Sequence, residues 1–176
     1  NRKSWRDQSI RVFLQKVRKD IEKGYLVILG GDFNEPSHLD WQDDTKDKWD
    51  HNGLVIDWDC SILLYDGGFK DAYRVLYPNV ETHPGFTFPS DNKDVPISKL
   101  AWAPEADERD RIDFIYYYLP GFTPVKASIL GPDSSIVRGR RMKENSQDSF
   151  IIPRSVWPSD HKALVVEFTY GKVGST

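Results

Sequence analysis

One cysteine, one methionine and four histidines are all that 176 residues contain of those three types. With Cys60 alone there is no internal disulfide framework and no cysteine-based zinc site. Its setting, "DWDCSILL", reads as that of a small core residue. Long apolar runs are missing too. None approaches the ~20 residues that a membrane-spanning helix needs, and the first ten residues, "NRKSWRDQSI", hold no signal-peptide core. Nor is there a basic excess. Lys and Arg number 24 against 27 Asp and Glu, a net charge of −3, which argues against a general duplex-binding protein but leaves room for a nuclease with a local basic patch. Metalloprotease H-E-x-x-H, Walker G-x-x-x-x-G-K and hydrolase G-x-S-x-G patterns are absent. The aspartates of "DWQDDTKDKWD" lack the spacing of a calcium loop and are offset by lysines.

What is present reads as one domain of mixed helices and strands, with enough residues for a real core. Ser4 and Asp7 make a capping-box pattern, and Ile10, Phe13, Leu14, Val17 and Ile21 recur at helical spacing until Gly24 stops the helix. "YLVIL" at 25–29 is apolar on both faces, which predicts a central, covered strand. Residues 55–66 are a helix candidate, and "GGFKDAYRVLYP" a turn with a short helix. "GFTF", "RIDFIYYYL", "PVKASIL" and "KALVVEFTY" are strand candidates. Residues 89–111 read as a long loop, and 131–160 carry few periodic signals.

Three short motifs set Asp or His beside a strand. In "GGDFN", Asp32 and Asn34 are two residues apart, so in extended backbone they face one spot, one able to accept a proton and the other to donate hydrogen bonds to an anion. Gly30 and Gly31 would give the tight turn and the close approach of substrate. In "RIDF", Asp113 sits among apolar residues and needs a partner, for which a histidine elsewhere in the chain is the best candidate. In "SDH", Asp160 precedes His161, whose charge changes near neutral pH. Carboxylates ~4 Å apart repel by roughly 4 kcal/mol at an effective dielectric near 20. A site holding Asp32, Asp113 and Asp160 therefore needs a proton, a charged His or a metal cation. Oxygen ligands favour Mg²⁺ or Mn²⁺ over zinc. A hard cation, a carboxylate base, an amide donor and a histidine are the parts for attack of water on phosphorus.

"GDFN", "RIDF" and "SDH", in that order over residues 30–161, resemble the C-terminal motifs of the endonuclease/exonuclease/phosphatase superfamily. The preceding helix and strand and "GGFKDAY" are similar to that family as well. The resemblance implies an α/β (α+β) fold of the four-layered, DNase I-like sandwich type. It implies a metal-dependent phosphoester hydrolase, whether phosphodiesterase, nuclease or phosphatase, using Mg²⁺ or Mn²⁺. It further implies that Asp32 orients or deprotonates the attacking water, Asn34 binds the phosphate, Asp113 holds the ring of His161, His161 contacts the scissile phosphate, and Asp160 lies at the metal.

The departures count as well. The family's first half supplies an early Asn, the principal Glu metal ligand and a further His or Tyr, and none stands ahead of Ser4. Residues 1–176 are therefore expected to be the C-terminal portion of one domain, completed by a missing N-terminal half and weakly active or inactive alone. The alternative is a non-catalytic fragment or binding module retaining the fold. Arg138, Arg140 and Arg141, in a loop reading "RGRRMK", are candidates to grip a substrate phosphate. His38 is a candidate to line the cleft, and His83 a weaker one. Nucleic acid, phospholipid and small phosphodiester substrates are not distinguished by sequence, though the acidic balance tilts away from bulk DNA.

Overall fold

The computed structural model describes residues 5–171. Ser4, the proposed helix cap, lies outside them. Helix α1 spans Trp5–Glu22 and lays Ile10, Phe13, Leu14, Val17 and Ile21 against the core. It ends as its glycine requires: Gly24, at a φ of 74°, donates its N–H to the Ile21 carbonyl, and Tyr25 donates to Asp20. Then follow β1 (Val27–Asp32), α2 (Asp59–Asp66), β2 (Lys70–Asp71), α3 (Ala72–Leu76), a short 3-10 turn at Ile97–Lys99, and β3 (Asp113–Tyr118). The chain closes with β4 (Phe122–Leu130), β5 (Ser134–Val137), β6 (Arg140–Lys143), β7 (Phe150–Ile151) and β8 (Ala163–Tyr170). The fold is α+β, with small sheets ordered β1-β3-β2, β7-β4-β8 and β5-β6.

Several expectations change here. The strand at 25–29 is not central. It begins at Val27 and lies at the edge of its sheet, with Ile28 about half exposed. Its apolar residues meet α1 and α2 on one face only, where Leu29 and Val27 join Leu64, Phe69 and Phe114 in the core. Gly30 and Gly31 form no turn; they continue the ladder opposite Ile115 and Phe114. The helix candidate at 55–66 starts only at Asp59. "GFTF" is no strand, but Phe88 makes an isolated bridge to Asp110. Within 131–160, read as irregular, lie the β5–β6 hairpin and the short β7. Those strands are two to four residues long, too short for a period-2 pattern to register. Pro124 is tolerated inside β4 because the register slips there against β8.

A buried charge network ties the segments together. Arg111, 1 % exposed, donates its Nε to Asp40 Oδ2 at 2.9 Å and its NH2 to Asp40 Oδ1 at 3.0 Å. Its NH1 lies 2.7 Å from Asp71 Oδ2, an ion pair off the hydrogen-bond angle. Arg74 donates its Nε to the same Asp40 Oδ1 at 2.6 Å and its terminal nitrogens to the carbonyls of Tyr77, His83 and Pro84. Asp71 Oδ1 meanwhile caps α3 through the N–H groups of Tyr73 and Arg74. Gly85 is required beside this cluster: its φ is 71°, and a Cβ there would stand 2.6 Å from Tyr73 and 2.9 Å from Arg111.

Candidate functional site

Antiparallel pairing of β1 with β3 sets Asp32 directly opposite Asp113. Like charges in that position destabilise a ladder unless something compensates them. His161 does so. Its Nδ1 lies 2.9 Å from Asp113 Oδ2, and one ligand atom from each of Asp32, Asp113 and His161 falls within 4.8 Å of the others. At that distance the ring proton sits on Nδ1 and points at the carboxylate. Nε2 has no hydrogen-bond partner among the described residues. The hydrogen bond to Asp113 raises the pKa of His161 above the ordinary histidine value. Burial opposes it, and the charges of Asp113, Asp32 and Asp160 add to it.

Each member is held by backbone outside the motif. Phe33 donates its N–H to the Ile112 carbonyl and packs its ring edge-on against Phe114, which carries β1 one residue past its end. Asn34 then turns at a φ of 48°, a conformation asparagine tolerates, and folds back on Asp32. Its backbone N–H reaches Asp32 Oδ1 at 2.6 Å and its Nδ2 reaches Oδ2 at 2.7 Å. Thr87 Oγ1 accepts from the N–H groups of Ile112 and Asp113. The histidine loop is tied on both sides. Ser90 donates its N–H to the Asp160 carbonyl at 2.6 Å, Trp157 donates its indole N–H to the His161 carbonyl, and Lys162 donates its N–H to Thr87. The Lys162 side chain, 1 % exposed, is anchored by Ser135 and Glu144, and the ring of Phe88 lies 5.0 Å from that of His161.

A cavity of about 200 Å³ opens at this point, with Asn34 and His161 on one side and Phe88, Trp102, Glu108 and Asp110 on the others. A larger opening of about 320 Å³ near Asp133 and Trp157 contains none of Asp32, Asn34, Asp113 or His161. Asp32, Asn34, Asp113 and His161 are thus neighbours, but only Asn34 and His161 line this cavity, while Asp32 borders a separate opening of about 260 Å³ beside Gly30 and Cys60. Asp160 adds no ligand atom to the three-residue cluster and acts on the His161 ring only through space.

The basic cluster does not converge on this site. Arg141 is spent on Asp91 at 2.7 Å and on the carbonyls of Asn92 and Val95. Arg138 pairs with Asp50 beside a neighbouring cavity, and Arg140 stands exposed in β6. Because "RGRRMK" enters a hairpin strand rather than a loop, its arginines are spread over different faces. His38 is also displaced from the cavity. Its Nδ1 lies 2.9 Å from Ser61 Oγ, its ring edge meets Tyr65, and burial lowers its pKa against the charges of Asp40 and Asp57. His83 stacks flat on Tyr77. Sequence reading missed Trp102, Glu108 and Asp110, which come from the loop at 89–111. The one signal for them is that this loop runs straight into "RIDF".

No family model matches the chain, and no solved structure matches it. An uncharacterized protein of Caenorhabditis elegans is 35 % identical over 144 residues, covering 82 % of this chain and 41 % of the relative. The chain therefore spans less than half the length of that relative.

Proposed function

We propose that this chain carries the water-activating and phosphate-contacting part of a metal-dependent phosphoester hydrolase, on the C-terminal portion of a DNase I-like sandwich. The observation that supports it best is the Asp113–His161 hydrogen bond facing Asp32 across the β1–β3 ladder, beside a cavity that Asn34 also lines. Asp32, its orientation set by two bonds from Asn34, accepts a proton from water as the water oxygen bonds to phosphorus. Protonated His161 donates from Nε2 to a phosphate oxygen, and Asp113, accepting from Nδ1, stabilises the imidazolium and holds its orientation. The ester P–O bond breaks and the leaving oxygen takes up a proton from solvent. Carboxylates with an imidazole and no thiolate suit a hard cation, Mg²⁺ or Mn²⁺, with Asp32 and Asp113, whose ligand atoms gather beside that of His161, as the residues to hold it. Bound there, it would neutralise charge on the phosphate.

Hydrolysis of bis(para-nitrophenyl) phosphate and para-nitrophenyl phosphate, with and without Mg²⁺, tests this. We expect Mg²⁺-dependent release of nitrophenolate, lower by about 10²-fold or more in His161→Ala and in Asp32→Asn, with thermal unfolding little changed. Equal rates in variants and wild type would sink the reading, and no turnover of any ester would favour a non-catalytic module.

A further inference from the structure

The cavity beside His161 has walls that the hydrolytic chemistry does not use. Phe88 and Trp102 set their rings edge to face at 6.5 Å, and Trp102 is 79 % exposed at the mouth. Two acidic residues, Glu108 and Asp110, line the same cavity. Glu108 accepts the Ala103 N–H at 3.0 Å through both oxygens, and Asp110 accepts the indole N–H of Trp41 at 2.9 Å. Neither has a cationic partner among the described residues. The nearby guanidiniums are already matched: Arg138 by Asp50, and Arg109 by Asp107 and Glu144. The same two carboxylates also border the adjoining cavity, which continues past Trp41 and Trp49. Asp110 keeps surface at the cavity, yet its carboxyl is packed among protein atoms. That burial pushes its pKa well up, and the charges of Asp40, Asp107 and Glu108 push the same way.

Aromatic rings that share a cavity with the unmatched carboxylate of Glu108 disfavour a second phosphate and attract a cation. We propose that this cavity is a subsite for a cationic nitrogen, an ammonium group carried on the substrate a few bonds from the phosphorus that His161 contacts. The proposal rests on the hydrolase reading for the placement of that phosphorus. It assigns Trp102 and Phe88 to the faces of the ammonium group and Glu108 to its charge, and it gives Asp110 a carboxyl that ionises as the cation binds beside it. Polyanionic substrates, including the backbone of nucleic acid, are disfavoured by the same wall.

Two esters that differ only in that charge decide it: para-nitrophenyl phosphorylcholine and its uncharged carbon isostere, neohexyl para-nitrophenyl phosphate. The expected kcat/KM ratio in the wild-type chain with Mg²⁺ is at least about tenfold in favour of the cationic ester. Glu108→Gln, Asp110→Asn and Trp102→Ala each bring that ratio toward one, and Trp102→Phe retains most of it. Because each protein is compared with itself, loss of folded protein does not mimic the result. Hydrolysis of both esters at one rate overturns the subsite and leaves the hydrolase reading standing. If neither ester is hydrolysed by this chain or by a longer form that supplies the expected N-terminal half, the hydrolase reading fails. Calorimetric titration with phosphorylcholine against neohexyl phosphate then decides the subsite alone: tighter binding of the cation, lost in Glu108→Gln, supports it, and equal or absent binding overturns it.

Discussion

Two groups of paired charges lie within one short stretch of β3 and its lead-in, and they are built to opposite ends. Arg111, at the centre of one, touches Asp40 and Asp71 where each side chain is 6 % exposed or less. Two residues on, Asp113 meets His161 where the side chains are 18 % and 24 % exposed. In the first group the guanidiniums are surrounded by acceptors, and burial is tolerable only because the charges answer one another. In the second, Nε2 and the cavity face are left over. Charge that is matched and buried joins segments far apart in the chain. Charge that is matched on one side only is free to act on something else.

The sharpest way to break this comparison is Arg111→Ala. It leaves the buried Asp71 without a cation and Asp40 with Arg74 alone, and should cost about 3–5 kcal/mol of stability, read as the midpoint of urea unfolding. Burial pushes the pKa of Asp40 up, but Arg111 and Arg74 outweigh it and hold the carboxyl below the ordinary range. The contribution of Asp40 is thus present above about pH 4 and lost as pH falls through its folded value. The gap between wild type and Arg111→Ala should accordingly narrow in acid; a gap that widens would contradict the network.

Asp113→Asn acts on the other group and should separate activity from stability. We expect phosphoester turnover to fall about 10²–10⁴-fold while unfolding shifts by only about 1 kcal/mol. The raised pKa of His161 means that its bond to Asp113 contributes stability below about pH 6.5, lost as pH rises through the higher folded value. The form that donates to phosphate follows the same titration. In Asp113→Asn the alkaline loss of activity should move to lower pH, and NMR titration of His161 should move with it.

The smallest effect sets the baseline. Arg18 and Glu22 pair at 3.0 Å on α1, with side chains 80 % and 61 % exposed. Arg18→Ala should change stability by at most about 0.5 kcal/mol, and less in salt. A larger loss there would mean that matching of charge, rather than its burial, sets the scale.

Legibility in sequence followed locality. Helix α1 and β8 could be read because each carries its own period and its own punctuation, as at Gly24. The residues gathered at the site were also legible, since Asp32, Asn34, Asp113 and His161 sit in short motifs where strands end or begin. Strand β1 was misplaced to the interior because apolar side chains on both faces do not reveal how many neighbours a strand has. The arginines of "RGRRMK" looked like a phosphate grip because sequence counts charges without their partners, and Arg141 was already taken by Asp91. Trp102, Glu108 and Asp110 were lost inside a loop with no period at all.

By itself, the order of residues determined which groups could do chemistry and where helix α1 and strand β8 run, since periodicity and glycine conformation act over a few residues. Only the tertiary structure decided which charges meet. Ion pairing and cavity shape depend on contacts between segments as far as 88 positions apart, as Asp50 and Arg138 are, and no local pattern encodes that distance.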